Sequence, residues 1–166
     1  MLPSPTPRLR FRRMRSEDLD DMAALLGDPV VMHYYPAPKS RGEALAWIEW
    51  NRRNYADHGH GLWVIETVDG GFVGDCGLTW QRVNGEQKLE VGYHVRSGLH
   101  GLGYATEAAA ACRDVARDST DTAELVAIVH PDNRASQRVA EKIGMKRVDD
   151  DHGDPLPARH VFSMRL

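Results

Sequence analysis

The stretch Arg96-Ser97-Gly98-Leu99-His100-Gly101-Leu102-Gly103-Tyr104-Ala105-Thr106-Glu107 places glycines at 98, 101 and 103, between an apolar run and an alanine-rich helix former. Successive backbone N–H groups at such a turn point the same way and carry partial positive charge, so a pyrophosphate can sit there without a lysine. Glycine lets the backbone come close to it. Two other readings stand beside the phosphate cradle. One is a purely structural turn before a helix. The other is a dinucleotide fingerprint begun by Gly101-Leu102-Gly103. Against the last, Thr106 stands where a third glycine or alanine belongs, and no acidic residue closes the next strand about 20 residues on.

The elements that position this turn follow from periodicity and punctuation. Alternation predicts a first strand at Arg8 to Met14, and Ser16-Glu17-Asp18 predicts a helix start with a capping hydroxyl, running to Leu26. Gly27-Asp28-Pro29 stops it. A loop through His33-Tyr34-Tyr35-Pro36-Ala37-Pro38 leads to a second helix, capped by Ser40 and ending near Ala56. Three strands, Leu62 to Val68, Phe72 to Trp80 and Lys88 to Val95, are then separated by turns at Asp69-Gly70-Gly71 and Val83-Asn84-Gly85-Glu86. The glycine turn opens a helix from Gly103 to Arg117 with a small-residue face, and a strand at Leu125 to Val129 follows. After Pro131-Asp132-Asn133 comes a helix to Ile143, stopped by Gly144, then strands around Lys146 to Val148 and Arg159 to Leu166. This order is an α+β plan with one strand-helix-strand unit inside a mostly antiparallel sheet.

Composition narrows the function classes. The chain has 166 residues, a length that fits one domain spanning 1–166, and its 42% hydrophobic and 27% charged residues are ordinary for a folded chain. No apolar run reaches the roughly 20 residues of a membrane span, and the start lacks an apolar signal core, so a cytoplasmic location and no membrane partner are expected. Cys76 and Cys112 are the only cysteines, which predicts reduced thiols and no metal cluster built on them. A net charge of -3 argues against a nucleic-acid partner. The local exception, Arg8, Arg10, Arg12, Arg13 and Arg15, alternates with Leu9 and Phe11 at the start and reads as the solvated face of a strand.

With these elements in place, His100-Gly101-Leu102-Gly103-Tyr104-Ala105-Thr106-Glu107-Ala108 resembles the coenzyme A pyrophosphate loop of the GNAT superfamily of N-acetyltransferases. Pro7-Arg8-Leu9-Arg10-Phe11-Arg12, Asp28-Pro29-Val30-Val31-Met32 and Glu90-Val91-Gly92-Tyr93 are similar to the ribosomal-protein-alanine acetyltransferase (RimJ/RimL-type) branch. So are Asn133-Arg134-Ala135-Ser136 and Glu141-Lys142-Ile143-Gly144-Met145. The resemblance covers nearly the whole chain. It implies a GNAT-like fold, with a mixed, mostly antiparallel sheet of about seven strands splayed in the middle and flanked by about four helices. It implies acetyl-CoA as co-substrate, with the pantetheine arm between the strands ending at Val95 and Val129. Tyr93, His94 and Val95 would meet the arm through their backbone. His100, Gly101, Leu102, Gly103, Tyr104, Ala105 and Thr106 would hold the pyrophosphate, although the superfamily usually has glutamine or arginine where His100 stands. Asn133 and Ser136 would complete the cofactor contacts.

Acetyl transfer from a thioester needs an unprotonated amine, a donor for the developing oxyanion and a proton source for the departing thiolate. Glu90 is the candidate base, on a strand face shared with Gly92 and His94 unless a bulge shifts the phase; the alternative is an exposed strand glutamate. Relatives carry a tyrosine donor in the last helix, where this chain has Ala140, and the resemblance suggests Ser136 instead. Asn133 can also serve simply as a helix cap. Glu107, His94 and His130 read as structural side chains. An α-amine, with an ordinary pKa of about 8, needs less help from a base than a lysine at about 10.4.

The resemblance places the acceptor between the loop carrying Tyr34 and Tyr35 and the loop joining the last two strands, expected to hold Asp149-Asp150-Asp151-His152-Gly153-Asp154. That acidic run reads either as a solvated loop or as a steering field for a cationic amine. Three functions remain open: acetylation of a protein N-terminus, acetylation of a small amine such as a polyamine, aminoglycoside or amino acid, and a catalytically silent coenzyme A-binding domain. A peptide enzyme would leave an open groove between the two loops, and a small-molecule enzyme would close it with aromatics. Monomer and homodimer are both compatible with the sequence.

Overall fold

The computed structural model describes residues 1–153 and 157–166. The chain forms β1 (Leu9–Arg12), α1 (Leu19–Leu26), α2 (Arg41–His58), β2 (Leu62–Thr67), β3 (Phe72–Val83) and β4 (Glu86–Val95). It continues with α3 (Tyr104–Ser119), β5 (Glu124–Val129), α4 (Arg134–Lys142), β6 (Lys146–Asp151) and β7 (Arg159–Arg165). The strands make one sheet in the order β1-β2-β3-β4-β5-β7-β6. Every neighbouring pair is antiparallel except β4 and β5. The α+β plan and its splayed mixed sheet are therefore those of the sequence.

Local chemistry explains the boundaries. Ser40 Oγ accepts from Glu43 N–H while the Glu43 carboxylate accepts from Ser40 N–H, a reciprocal box that starts α2. Asn84 and Gly85, with φ of 46° and 86°, make the two-residue turn that lets β3 and β4 pair further than their apolar runs suggest. The first strand is shorter than alternation predicts, because Met14 N–H is taken by the Tyr55 hydroxyl at 3.1 Å and leaves the ladder. Ser16 is not the cap expected of it. The Asp18 carboxylate accepts Arg15 N–H at 2.7 Å instead, and a turn of 3-10 helix at Ser16–Asp18 precedes α1.

The centre of the sheet holds the feature that matters for function. β4 is paired along its whole length to β3, and β5 along its whole length to β7. Between them a single residue pair, Glu90 with Val126, closes the sheet. Past that point the two halves diverge, each kept rigid by its own outer partner. α1 and α2 cover one face of β3 and β4, and α3 covers the other, with α4 beside it. The core is nearly continuous across the sheet, from Leu9, Met22, Ile48 and Trp63 to Ala109, Cys112, Leu125 and Phe162. Cys76 and Cys112 meet inside it with their sulfurs 3.6 Å apart as free thiols. Among the described residues no helix is long and apolar enough to cross a membrane.

Candidate active site

The glycine turn sits at the open end of the splay, between β4 and α3. Gly101 and Gly103 adopt φ of +77° and +84°, a left-handed backbone that side chains disfavour. Gly103 stands at the start of α3, and the first turn of that helix leaves its N–H groups without intrahelical partners. Among the described residues, the N–H groups of 101–106 donate to no acceptor, whereas Leu99 and His100 on one side and Glu107 on the other are bonded. Six consecutive free donors with alternating backbone handedness form an anion nest. His100, Gly101, Leu102, Gly103, Tyr104, Ala105 and Thr106 thus come together as one surface.

An arginine from β1's approach locks this turn from behind. Arg8 donates to Leu102 C=O at 2.8 Å and to Glu107 at 2.6 Å, and its guanidinium lies 4.4 Å over the Tyr104 ring. Glu107 also accepts from Arg8 N–H and from Thr6. These contacts explain why its pKa lies below the ordinary carboxylate value despite burial opposing the shift. Glu107 is structural, as its sequence position suggested, while Arg8's role was hidden because it lies about a hundred positions away. The Arg8 side chain is 43% exposed, so the pair is partly screened. Arg8→Ala is expected to cost about 1 kcal/mol, roughly 2–4 °C in Tm for a domain of this size. A thermal melt within about 1 °C of wild type would contradict the lock.

Along β4 the polar groups divide between two sides. Arg96 N–H bonds to Val73 C=O in β3, so Val95, one residue earlier, turns its own backbone groups toward the β5 side. Val95 C=O meets His100 Nε2 at 2.7 Å, which gives that histidine a definite position at the mouth of the gap. His94 departs from its expected part. Its backbone N–H is held by Asp75 Oδ1 at 3.0 Å and is not free for a cofactor arm. Asp75 Oδ1 also meets His94 Nδ1 at 2.8 Å, and Asp75 Oδ2 accepts from Trp47 Nε1 at 3.0 Å. Asp75 is fully buried, so Asp75→Ala would leave the His94 N–H, the His94 ring and the Trp47 indole N–H without this partner. A loss of about 3–5 kcal/mol in a urea titration is expected.

Glu90 lies at the apex of the splay. The β3–β4 register runs without a bulge, so Glu90, Gly92 and His94 do share one face, the one covered by α1 and α2. Glu90 is half-buried, and among the described residues its carboxylate accepts no hydrogen bond. Burial pushes its pKa up to about 8, with nearby Arg159 pulling the other way. An unpartnered carboxyl with a pKa near the working range, beside the gap, can take a proton from an amine.

The opposite face carries the hydroxyls. Tyr93 reaches through to α4, where its phenol oxygen lies 2.5 Å from Ser136 Oγ. Burial raises the Tyr93 pKa, so its hydroxyl stays protonated. Asn133 Oδ1 accepts Ser136 N–H at 3.1 Å and caps α4, which leaves its amide nitrogen over. Ala140 is buried and offers no hydroxyl. The Tyr93 side chain is the residue that sequence reasoning missed, having been considered for its backbone alone. Its only signal was its strand parity, opposite to Glu90.

The acceptor side also differs from expectation. Asp149, Asp150 and Asp151 belong to β6 and not to a loop. Asp150 pairs with Arg147 at 2.7 Å, and Asp151 is 1% exposed and pairs with Arg159 at 2.5 Å. Two charges of the run are thus paired, while among the described residues the Asp149 carboxylate accepts only Asp150 N–H; Asp154 lies outside the described residues. Tyr34 and Tyr35 stand over the gap, Tyr34 with its ring centroid 5.2 Å from that of His130 and Tyr35 5.3 Å from that of His94.

A sheet opened at one parallel pair, an anion nest at its mouth and ionisable groups on both faces make a site suited to an elongated ligand with a phosphorylated end. Sequence comparison makes the family explicit. The acetyltransferase (GNAT) domain matches residues 8–146, and the chain belongs to that family of acetyltransferases. It is 39% identical over 142 residues to the uncharacterized protein YkkB of Bacillus subtilis (strain 168), covering 84% of this chain and 83% of that one. Among solved structures, an acetyltransferase from Agrobacterium tumefaciens superposes with a TM-score of 0.84 at 27% identity, over 100% of this chain and 95% of that one. RimL, a ribosomal L7/L12 alpha-N-protein acetyltransferase solved with coenzyme A, shares the fold with a TM-score of 0.81 at 14% identity, over 100% and 98%.

Proposed function

We propose that this protein transfers an acetyl group from acetyl-coenzyme A to a primary amine, with Glu90 as the base and Ser136 as the proton donor. The observation that carries the reading is the run of free N–H groups at 101–106 opening onto the gap between β4 and β5. That cradle suits a pyrophosphate, and the gap beyond it suits a narrow arm flanked by the outward backbone groups of Tyr93 and by the Val95 N–H, the Val95 C=O being held by His100. Asn133, with its amide nitrogen over, lies beside Ser136 on the far side. Bound acetyl-coenzyme A supplies an activated thioester carbonyl and a thiolate leaving group.

The residues of the chain do the rest. Glu90 removes a proton from the ammonium form of the acceptor on one face of the sheet. Ser136 gives its hydroxyl proton to the sulfur on the other face and is reprotonated by Tyr93, and the second proton of the acceptor nitrogen, released to solvent as the amide forms, is balanced by the one solvent returns to the phenol, which burial holds in its neutral form. The backbone N–H of Tyr93 or a neighbour at the splay donates to the carbonyl oxygen as charge grows there. Amine entry and thiol departure thus occur on opposite faces.

Titration calorimetry tests this reading before any acceptor is known. Saturable one-to-one binding of acetyl-coenzyme A, with none of NAD, is the expected result. Binding of NAD in preference would return the glycine turn to the dinucleotide reading, and binding of neither would leave it a structural turn.

A further inference from the structure

The segment between α1 and α2 crosses the opening of the sheet on the Glu90 face, and two consecutive tyrosines reach its opposite walls. Tyr35 lies against His94 near the end of β4, and Tyr34 lies against His130, directly after β5. Those strands are joined at Glu90 and Val126 and have parted by the time they reach these histidines, four residues or about 13 Å further along. Both seats are firm. His94 is gripped by Asp75 at its ring and its backbone, and the His130 ring accepts Asp132 N–H at 3.1 Å.

The crossing segment is tied at its ends as well. Asp28 accepts from Ser97 at 2.7 Å, Lys39 N–H bonds to Leu26 C=O at 2.8 Å, and Met32 is buried beneath. One polar atom under the segment is left over. His94 Nε2 is buried and has no partner, a state that native interiors rarely leave unexplained. With Asp75 holding Nδ1, Nε2 is the ring atom left over for a polar group of a ligand.

We infer that Tyr34 and Tyr35 form a strap that restricts the acceptor to a small amine with a second polar group, and excludes a protein N-terminus. A compact amine can pass beside the strap to Glu90, whereas a peptide must carry its following residues through the space that the two rings span. This inference rests on the acetyl-transfer reading and adds the substrate class to it.

The test uses coenzyme A joined through an acetyl bridge either to 1,4-diaminobutane or to the α-amine of an octapeptide, with coenzyme A alone as the third ligand. Calorimetry on the full chain is expected to show the diamine conjugate binding about tenfold tighter than the peptide conjugate. In a Tyr34→Ala, Tyr35→Ala double variant the two should converge to within about twofold, through tighter binding of the peptide. Equal affinities in the wild type overturn the strap, as does an unchanged ratio in a variant that still binds coenzyme A. Should the variant not fold, the wild-type ratio decides alone. Failure of coenzyme A itself to bind the wild type is a different result and removes the acetyl-transfer reading.

Discussion

Replacing Glu90 with glutamine is expected to lower kcat about a hundredfold or more while leaving acetyl-coenzyme A affinity within about twofold, the pattern of a lost general base. The shape of the pH profile carries the sharper result. A carboxylate base works unprotonated, so the wild-type rate should rise with pH through the Glu90 pKa of about 8. The variant keeps only the limb of the acceptor amine. For an α-amine that limb also lies near about 8, so a lysine-like amine at about 10.4 separates the two more cleanly. A variant with undiminished kcat and the same profile removes Glu90 from the mechanism. Stability gives an independent reading of the same group. Its pKa is raised above the ordinary 4.5, so the folded state holds a proton that the unfolded state releases. Stability therefore falls as pH rises from 4.5 through about 8. Glu90→Gln should flatten that part of the curve, measurable by urea titrations at pH values on either side of the window.

The second large effect is expected at the glycine turn. Gly103 has φ +84°, and a Cβ built there would stand 3.3 Å from the Arg8 guanidinium. Valine at that position meets both a disfavoured backbone, costing about 1–3 kcal/mol, and a group that cannot retreat without releasing Leu102 C=O. The turn would relax out of the nest, and acetyl-coenzyme A should bind about tenfold more weakly or worse. Gly101→Ala separates the causes, because its φ is +77° and nothing lies within 4 Å of the added carbon. Any weakening there reports backbone conformation alone. Gly98→Ala is the control, since the added carbon meets open space and the backbone is not left-handed, and its affinity should match wild type. Equal binding by Gly103→Val would mean that the anion is held elsewhere.

These two sites differ in how far the sequence disclosed them. The glycine spacing announced the turn because only glycine adopts positive φ at little cost, a local property that needs no partner. The turn at Asn84-Gly85, the Ser40–Glu43 cap and the meander were legible for the same reason. Glu90 could be named from its strand and from the family resemblance, yet its raised pKa depends on what surrounds it, including Arg159 from the far end of the chain.

What the sequence determined alone is therefore the order of elements, the α+β class, the glycine turn and, through matching motifs, the acetyltransferase family. Tertiary structure decided the partners. It took the His94 N–H with Asp75, set Tyr93 against Ser136 and drew Tyr34 and Tyr35 across the splay. The physical reason is range. Capping, turn conformation and periodicity act over a few residues and are written locally. Hydrogen-bond partners and burial are set by residues tens of positions apart, which meet only once the sheet has closed at Glu90 and Val126.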